Sequence, residues 1–189
     1  MAMSDTQEQI LDAVQSVIVR DGVRGASMRQ VAQEADVSLG LLSYHFDDKD
    51  SLIIAAFARA SATLREACVD AAAAVDGAEE KVVAFLRGAF TDSFLDSDYL
   101  RLRVSLWAVS LTDTDLARVD AAFYEHYASS LRALVRAARP GLAEPEVAAR
   151  TADVIAFSNG LWLDWARYQI APNLERGLAK CEAMALAPS

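Results

Sequence analysis

Hydrophobic residues recur along most of this chain at the three- and four-residue intervals of a helix with one buried face. Over residues 6–21 they fall at Ile10, Leu11, Val14, Val17 and Ile18, and Gly22 follows where a helix can end in a left-handed residue. Met28, Val31, Ala32 and Ala35 make a second, shorter stripe. Ser27 stands at its N-cap, with Gln30 three residues on to complete a capping box. Asp36-Val37-Ser38 interrupts the stripe, and Ser38 can cap a further helix over 39–46. Longer stripes follow over 49–74, 79–95, 99–111, 115–138, 144–170 and 173–185. Pro140-Gly141 closes one of them, Pro145 suits the first turn of the next, and Pro172 ends that one in turn. Few segments alternate with a period of two, so the pattern predicts an all-α protein.

The stretch 27–46 reads as two short helices joined by a tight turn. That is the pattern of a helix-turn-helix, whose second helix enters the DNA major groove, and equally of an αα-hairpin packed in a helical core. At about 100° per residue, Leu39, Gly40, Ser43 and Tyr44 share one arc of the second helix. Leu41, Leu42, His45 and Phe46 share the other. The second arc is bulky and suits packing, with His45 more at home at a core edge than on DNA. The first arc is small and polar apart from Leu39, and suits base edges. Gly40 lowers helix propensity by roughly 1 kcal/mol relative to alanine, so close approach to another helix or to DNA should favour it.

Composition narrows the class. Hydrophobic residues make up 53% of the 189, enough for a substantial core and too many for a disordered chain. Residues 1 to about 46 form a unit too small for a robust core alone, and the 49–74 helix would join it to the rest. The expected division is therefore 1–48 and 49–189, with the first domain's characteristic pattern reaching to about 64. The polar N-terminal stretch is no secretory signal, and no apolar run reaches the ~20 residues of a membrane span, so a cytoplasmic protein is expected. Cys68 and Cys181 are isolated and read as reduced, buried thiols.

Charge complicates the DNA reading. The net charge is −9, and residues 1–50 set Arg20, Arg24, Arg29 and Lys49 against nine acids, a balance of −5. DNA-binding surfaces are usually basic. Only charge placed at the interface meets phosphate, however, so an acidic protein that binds DNA should do so with marked sensitivity to salt.

The series Ser27…Val31-Ala32…Ala35-Asp36-Val37-Ser38-Leu39-Gly40…Leu42-Ser43-Tyr44-His45-Phe46…Lys49…Leu52 resembles the DNA-binding domain of TetR-type transcriptional repressors. The match is ungapped over about 25 residues. Leu106-Trp107-Ala108 and Asn159-Gly160-Leu161-Trp162-Leu163 further resemble the branch that includes the choline-responsive repressor BetI. Asn159 replaces that branch's acid, and Asp164 stands where it has arginine.

The resemblance implies an all-α fold of about nine helices, with a three-helix DNA-binding head and a larger ligand-binding and dimerisation domain. It implies a homodimer formed by the last two long helices, a palindromic double-stranded operator, and a small-molecule effector that releases it. Leu39, Gly40, Ser43 and Tyr44 are then expected in the groove, with Ser27, Arg29, Ser38 and Lys49 at phosphates. An aromatic set comprising Trp107, Tyr124, Tyr127 and Trp162, with Asp164 as counter-charge, could cage a cationic effector. The same aromatics could instead be packing or dimer-interface residues.

Catalysis finds no support. His45 and His126, with two distant cysteines, make neither a metal set nor a nucleophile–base pair, and no phosphate-binding loop is present. No enzyme activity, metal or cofactor is expected. The alternative to a DNA-binding regulator is a helical ligand-binding or interaction protein whose head does not bind DNA specifically.

Overall fold

The computed structural model describes residues 5–188, so residues 1–4 of the polar N-terminal stretch lie outside it. Among the described residues the regular elements are all helices: α1 (Asp5–Gly25), α2 (Met28–Glu34), α3 (Leu39–His45), α4 (Lys49–Ala73), α5 (Ala78–Gly88), α6 (Asp92–Leu95), α7 (Ser97–Ser110), α8 (Thr114–Ala138), α9 (Glu144–Tyr168) and α10 (Ala171–Ala185). The chain is all-α, as the spacing predicts. It divides into two compact units, discontinuous in sequence. One takes in the residues up to Ala62 with Arg101–Ala122; the other takes in Thr63–Leu100 and the residues from Phe123 onward. The divisions between these units fall inside α4, α7 and α8.

The first unit shows how a head of three short helices acquires a core. The α1 stripe (Ile10, Leu11, Val14, Val17, Ile18) is buried against Val31 and Ala32 of α2 and Leu42 of α3. Leu52, Ile53, Ala56 and Phe57 of α4 join the same core. Leu102, Leu106 and Leu116, from α7 and α8, complete it. Distant sequence therefore supplies apolar surface that residues 1–46 lack.

Local chemistry sets the turns of this unit. Gly22 has φ 73° and ψ 165°, a region essentially reserved for glycine. The chain kinks there and makes one more helical turn to Gly25 rather than stopping. α2 closes through a Schellman arrangement: the Asp36 amide donates to the Gln33 carbonyl (3.2 Å) and the Val37 amide to that of Ala32 (3.0 Å). Asp36 is the left-handed residue that makes this possible, at φ 51°. Ser38 then accepts the Leu41 amide at 3.1 Å and starts α3. The first turn of α4 is capped by Asp48, whose Oδ1 accepts the Ser51 amide at 2.8 Å, while the Asp48 amide donates to Ser51 Oγ.

In the second unit α10 packs on α9 and α5. Its buried residues include Leu86, Phe85, Tyr127, Leu131, Val154 and Leu178. The helix expected over 79–95 is broken here into α5 and α6. Gly88 lies so close to α4 that a Cβ would come within 2.9 Å of Cys68 Cα, and Phe90 and Phe94 turn into the core. The stretch 169–173 also differs in detail from its expectation. Gln169 caps α9 in the left-handed region, and Pro172 sits inside the first turn of α10, where its missing N–H costs nothing.

Candidate functional site

The first candidate surface is α3. It is seven residues long, held by the Ser38 cap at one end and by burial of Leu42 beneath it. The outward arc is open: Tyr44 is 82% exposed, Leu39 44%, and Gly40 and Ser43 are exposed beside them. A Cβ on Gly40 would meet nothing closer than Ser38 Oγ at 3.9 Å. No helix–helix contact among the described residues requires this glycine. The arc expected to pack is only partly buried. Leu42 is fully buried and His45 and Phe46 are half-buried, but Leu41 is 40% exposed, because a seven-residue helix rests on its neighbours along a narrow seam. His45 meets the Tyr44 ring edge-on, with centroids 5.2 Å apart.

The charged and polar candidates around α3 divide by partner. Ser27 Oγ accepts the Gln30 amide at 3.3 Å and donates to Gln30 Oε1 at 2.7 Å, so the capping box closes through the hydroxyl. Lys49 is half-buried, with its Nζ donating to the Arg24 carbonyl at 3.2 Å. Arg20 is taken by Asp21 and Glu34, at 3.2 and 2.8 Å. Among the described residues, Arg24, Arg29 and Lys49 have no carboxylate within ion-pair distance. Three of the four cations of residues 1–50 are thus left for an external anion, despite the acidic balance. Arg24 was not among the residues singled out from sequence; its signal would have been its place just after the Gly22 kink.

The aromatic candidates are divided between the units. Trp107 belongs to the first, on α7, and is half-buried. Arg103, one helical turn before it, is only 2% exposed. The Arg103 guanidinium lies 5.1 Å from the Trp107 ring and 5.6 Å from that of Phe57, and its Nη1 donates to Ser61 Oγ at 3.0 Å. Burial holds the Asp120 carboxyl above its ordinary pKa, against the opposing pull of Arg103 and a hydrogen bond from Trp107. Arg103 was not anticipated. A single arginine inside the apolar run Leu102–Leu106–Trp107 was the available signal.

Tyr124, Tyr127, Trp162 and Asp164 belong to the second unit. Tyr127 is buried between Phe85 and Phe123, with centroids 4.9 and 5.9 Å away. Burial pushes its phenol well above the ordinary value and the adjacent Cys68 thiol up to about 12. Trp162 is buried edge-on against Phe90 and Tyr99, at 5.9 and 5.6 Å. Tyr124 is 42% exposed and Asp164 half-buried. Among the described residues no group of three or more His, Cys, Asp or Glu could hold a metal ion, and no helix is long and apolar enough to cross a membrane.

A third surface lies on α9. Ala149, Ala152, Ala156, Gly160 and Leu163 are exposed at spacings of three and four, with Phe157 beside them, while Val147, Thr151, Val154, Ile155, Ser158 and Trp162 face inward. This is a second apolar face on one helix.

Comparison with known proteins matches two consecutive stretches of the chain. Residues 10–56 match the model for bacterial regulatory proteins of the tetR family, and residues 78–187 match that of the BetI-type transcriptional repressor C-terminal domain. The HTH-type transcriptional regulator BetI of Stenotrophomonas maltophilia is 28% identical over 158 residues, covering 83% of this chain and 79% of that protein. A Pseudomonas aeruginosa PAO1 protein crystallised as a candidate transcriptional regulator superposes with a TM-score of 0.86 at 25% identity, over 94% of this chain and 87% of its own. Two structures at 16% identity share the fold with TM-scores of 0.78 and carry ligands. One is a Saccharomonospora viridis regulator in complex with choline, covering 95% of this chain and 94% of its own. The other is FadR of Bacillus subtilis with stearoyl-CoA, covering 96% and 98%.

Proposed function

Since the chain belongs to the TetR family of bacterial transcriptional regulators, with a BetI-type C-terminal domain, we propose that it is a homodimeric, cytoplasmic repressor that leaves a palindromic operator when a small molecule binds. It acts by binding and not by catalysis. The observation that carries this reading is the open arc of α3: a glycine that no internal contact requires, beside an 82% exposed tyrosine. Gly40 lets the helix backbone approach base edges, Leu39 meets a thymine methyl, and Ser43 and Tyr44 bond to bases or backbone. Arg29 and Lys49 supply phosphate contacts, with Ser27 and Ser38 holding the helix N-termini that add theirs. The acidic remainder keeps non-specific binding weak, which sharpens discrimination.

The α9 stripe supports dimerisation: small residues let a second α9 approach closely, with Phe157 and Leu163 filling the seam. Effector binding in the larger domain favours a head spacing that does not fit DNA, and operator affinity falls by the same factor as effector affinity on the operator. We assign the effector to the neighbourhood of Tyr124, Tyr127, Trp162 and Asp164 in the second unit. A cation cage cannot use the Trp107 face that Arg103 already covers.

The test is a mobility-shift titration on the DNA upstream of the protein's own coding region, repeated across a salt series. A saturable complex on a short palindrome is expected. Tyr44→Ala should weaken it at least tenfold, and Lys49→Ala should lower the slope of log K against log salt by about two, one for each subunit. No specific complex at low salt would leave the non-DNA-binding reading in its place.

A further inference from the structure

The first unit contains a cavity that the DNA-binding reading does not use. It has a volume of about 440 Å³, within the range of small-molecule sites. Its walls are Val23, Ile53, Ile54, Ala108, Val109 and Leu116, from the last turn of α1, the start of α4 and the α7–α8 junction. Its polar lining is Arg24, Lys49, Asp50, Thr112 and Asp113. The Gly22 kink directs the chain so that Val23 and Arg24 reach α4.

The charges in this lining are unevenly occupied. Asp113 Oδ1 accepts the Asp115 and Leu116 amides, at 3.0 and 2.9 Å, and so serves as the cap of α8. Asp50 lies in the first turn of α4, where the helix dipole favours an acid. Neither acid is within ion-pair distance of Arg24 or Lys49; Lys49 Nζ contacts only the Arg24 carbonyl among the described residues. An apolar cavity with two cations uncommitted to carboxylates at its rim, beside the positive end of a 25-residue helix, matches one ligand chemistry.

We infer that this cavity binds a small amphipathic monocarboxylate, its chain against Ile53, Ile54, Val109 and Leu116 and its carboxylate on Lys49 and Arg24. The inference rests on the reading of Lys49 as a phosphate contact for its consequence: carboxylate and DNA phosphate compete for the same ammonium. Occupancy weakens operator binding directly at the head, separately from an effector in the larger domain. Linkage requires the reverse as well, so operator DNA must weaken the carboxylate by the same factor.

Octanoate, kept below its micellar concentration, is the probe, with octan-1-ol and octylamine as matched neutral and cationic controls. Thermal denaturation of the full-length protein without DNA should show a saturable rise in Tm of several degrees with octanoate and not with the controls. Arg24→Met should weaken octanoate at least tenfold. Ala108→Trp and Thr112→Trp, both at exposed positions, should fill the cavity and abolish the shift while melting cooperatively. No saturable shift, an equal shift with octylamine, or full retention in both filled variants would overturn the site. Octanoate should also reduce operator affinity tenfold or more; binding without that reduction overturns the competition. Saturable octanoate binding in a protein that shows no specific DNA complex would instead leave the site standing and remove the regulator reading.

Discussion

Asp36 shows how much one side chain can decide. The turn between α2 and α3 needs a left-handed residue, and aspartate holds that place at φ 51°. Aspartate tolerates the conformation better than most residues, yet still with some strain relative to glycine. Asp36→Gly should raise stability by about 0.5–1 kcal/mol, partly offset by the freer unfolded chain, giving a Tm rise of about 1–4 °C by calorimetry. Arg103 is the other decisive residue. Asp120 titrates above its ordinary value in the folded chain, so it contributes stability below that pKa that is lost as pH rises through it. Arg103 opposes the upward shift. In Arg103→Met the Asp120 pKa should move higher, so the fall in Tm, which starts at the unfolded carboxyl's pKa in both proteins, should be larger and extend to a higher pH. An unchanged Asp120 titration by NMR would show that the two do not interact.

At the scale of elements, short helices depend on their ends. α2 and α3 have seven residues each, below the length at which a helix is stable alone. Their caps, Ser27 and Ser38, therefore hold the reading helix in place as much as the core does. Ser38→Ala should cost about 1 kcal/mol, seen as a lower urea midpoint with unchanged slope, and Ser38→Gly only a few tenths. The α4 cap carries a pH signature. Hydrogen bonds from Ser51 hold the Asp48 carboxyl below its ordinary pKa, so the cap is intact above the usual carboxylate range. It is lost as pH falls through the lowered value, and Asp48→Asn should remove that part of the acid dependence.

At the scale of the whole molecule, the proposed function gives partners to two exposed surfaces, the α3 arc and the α9 stripe. A symmetric dimer carries two reading helices, and binding of the second half-site becomes intramolecular. Phe157→Glu should shift sedimentation at micromolar concentration from dimer to monomer and reduce operator affinity by a hundredfold or more. Tyr44→Ala should leave the dimer intact. The two variants separate assembly from reading.

Most of the helices, their caps and the exposed arc of α3 were legible in order along the chain, because each depends on interactions within about four residues. Ser27, Ser38, Gly22 and the α1 stripe act locally, and so does the periodicity that marks α8 and α9. What the periodicity could not reveal was set by residues far apart in sequence. The break after Gly88 depends on α4 lying against it, and the exposure of Leu41 on how narrowly α3 is supported. Arg103 gains its meaning only from Phe57, Ser61 and Asp120 around it, which lie far from it in sequence or on another helix. The head's core needed Leu102, Leu106 and Leu116, and its unpaired cations became distinguishable from Arg20 only when the carboxylates had positions. Spacing along a helix records which face is buried; which distant groups meet that face is a property of the packed chain.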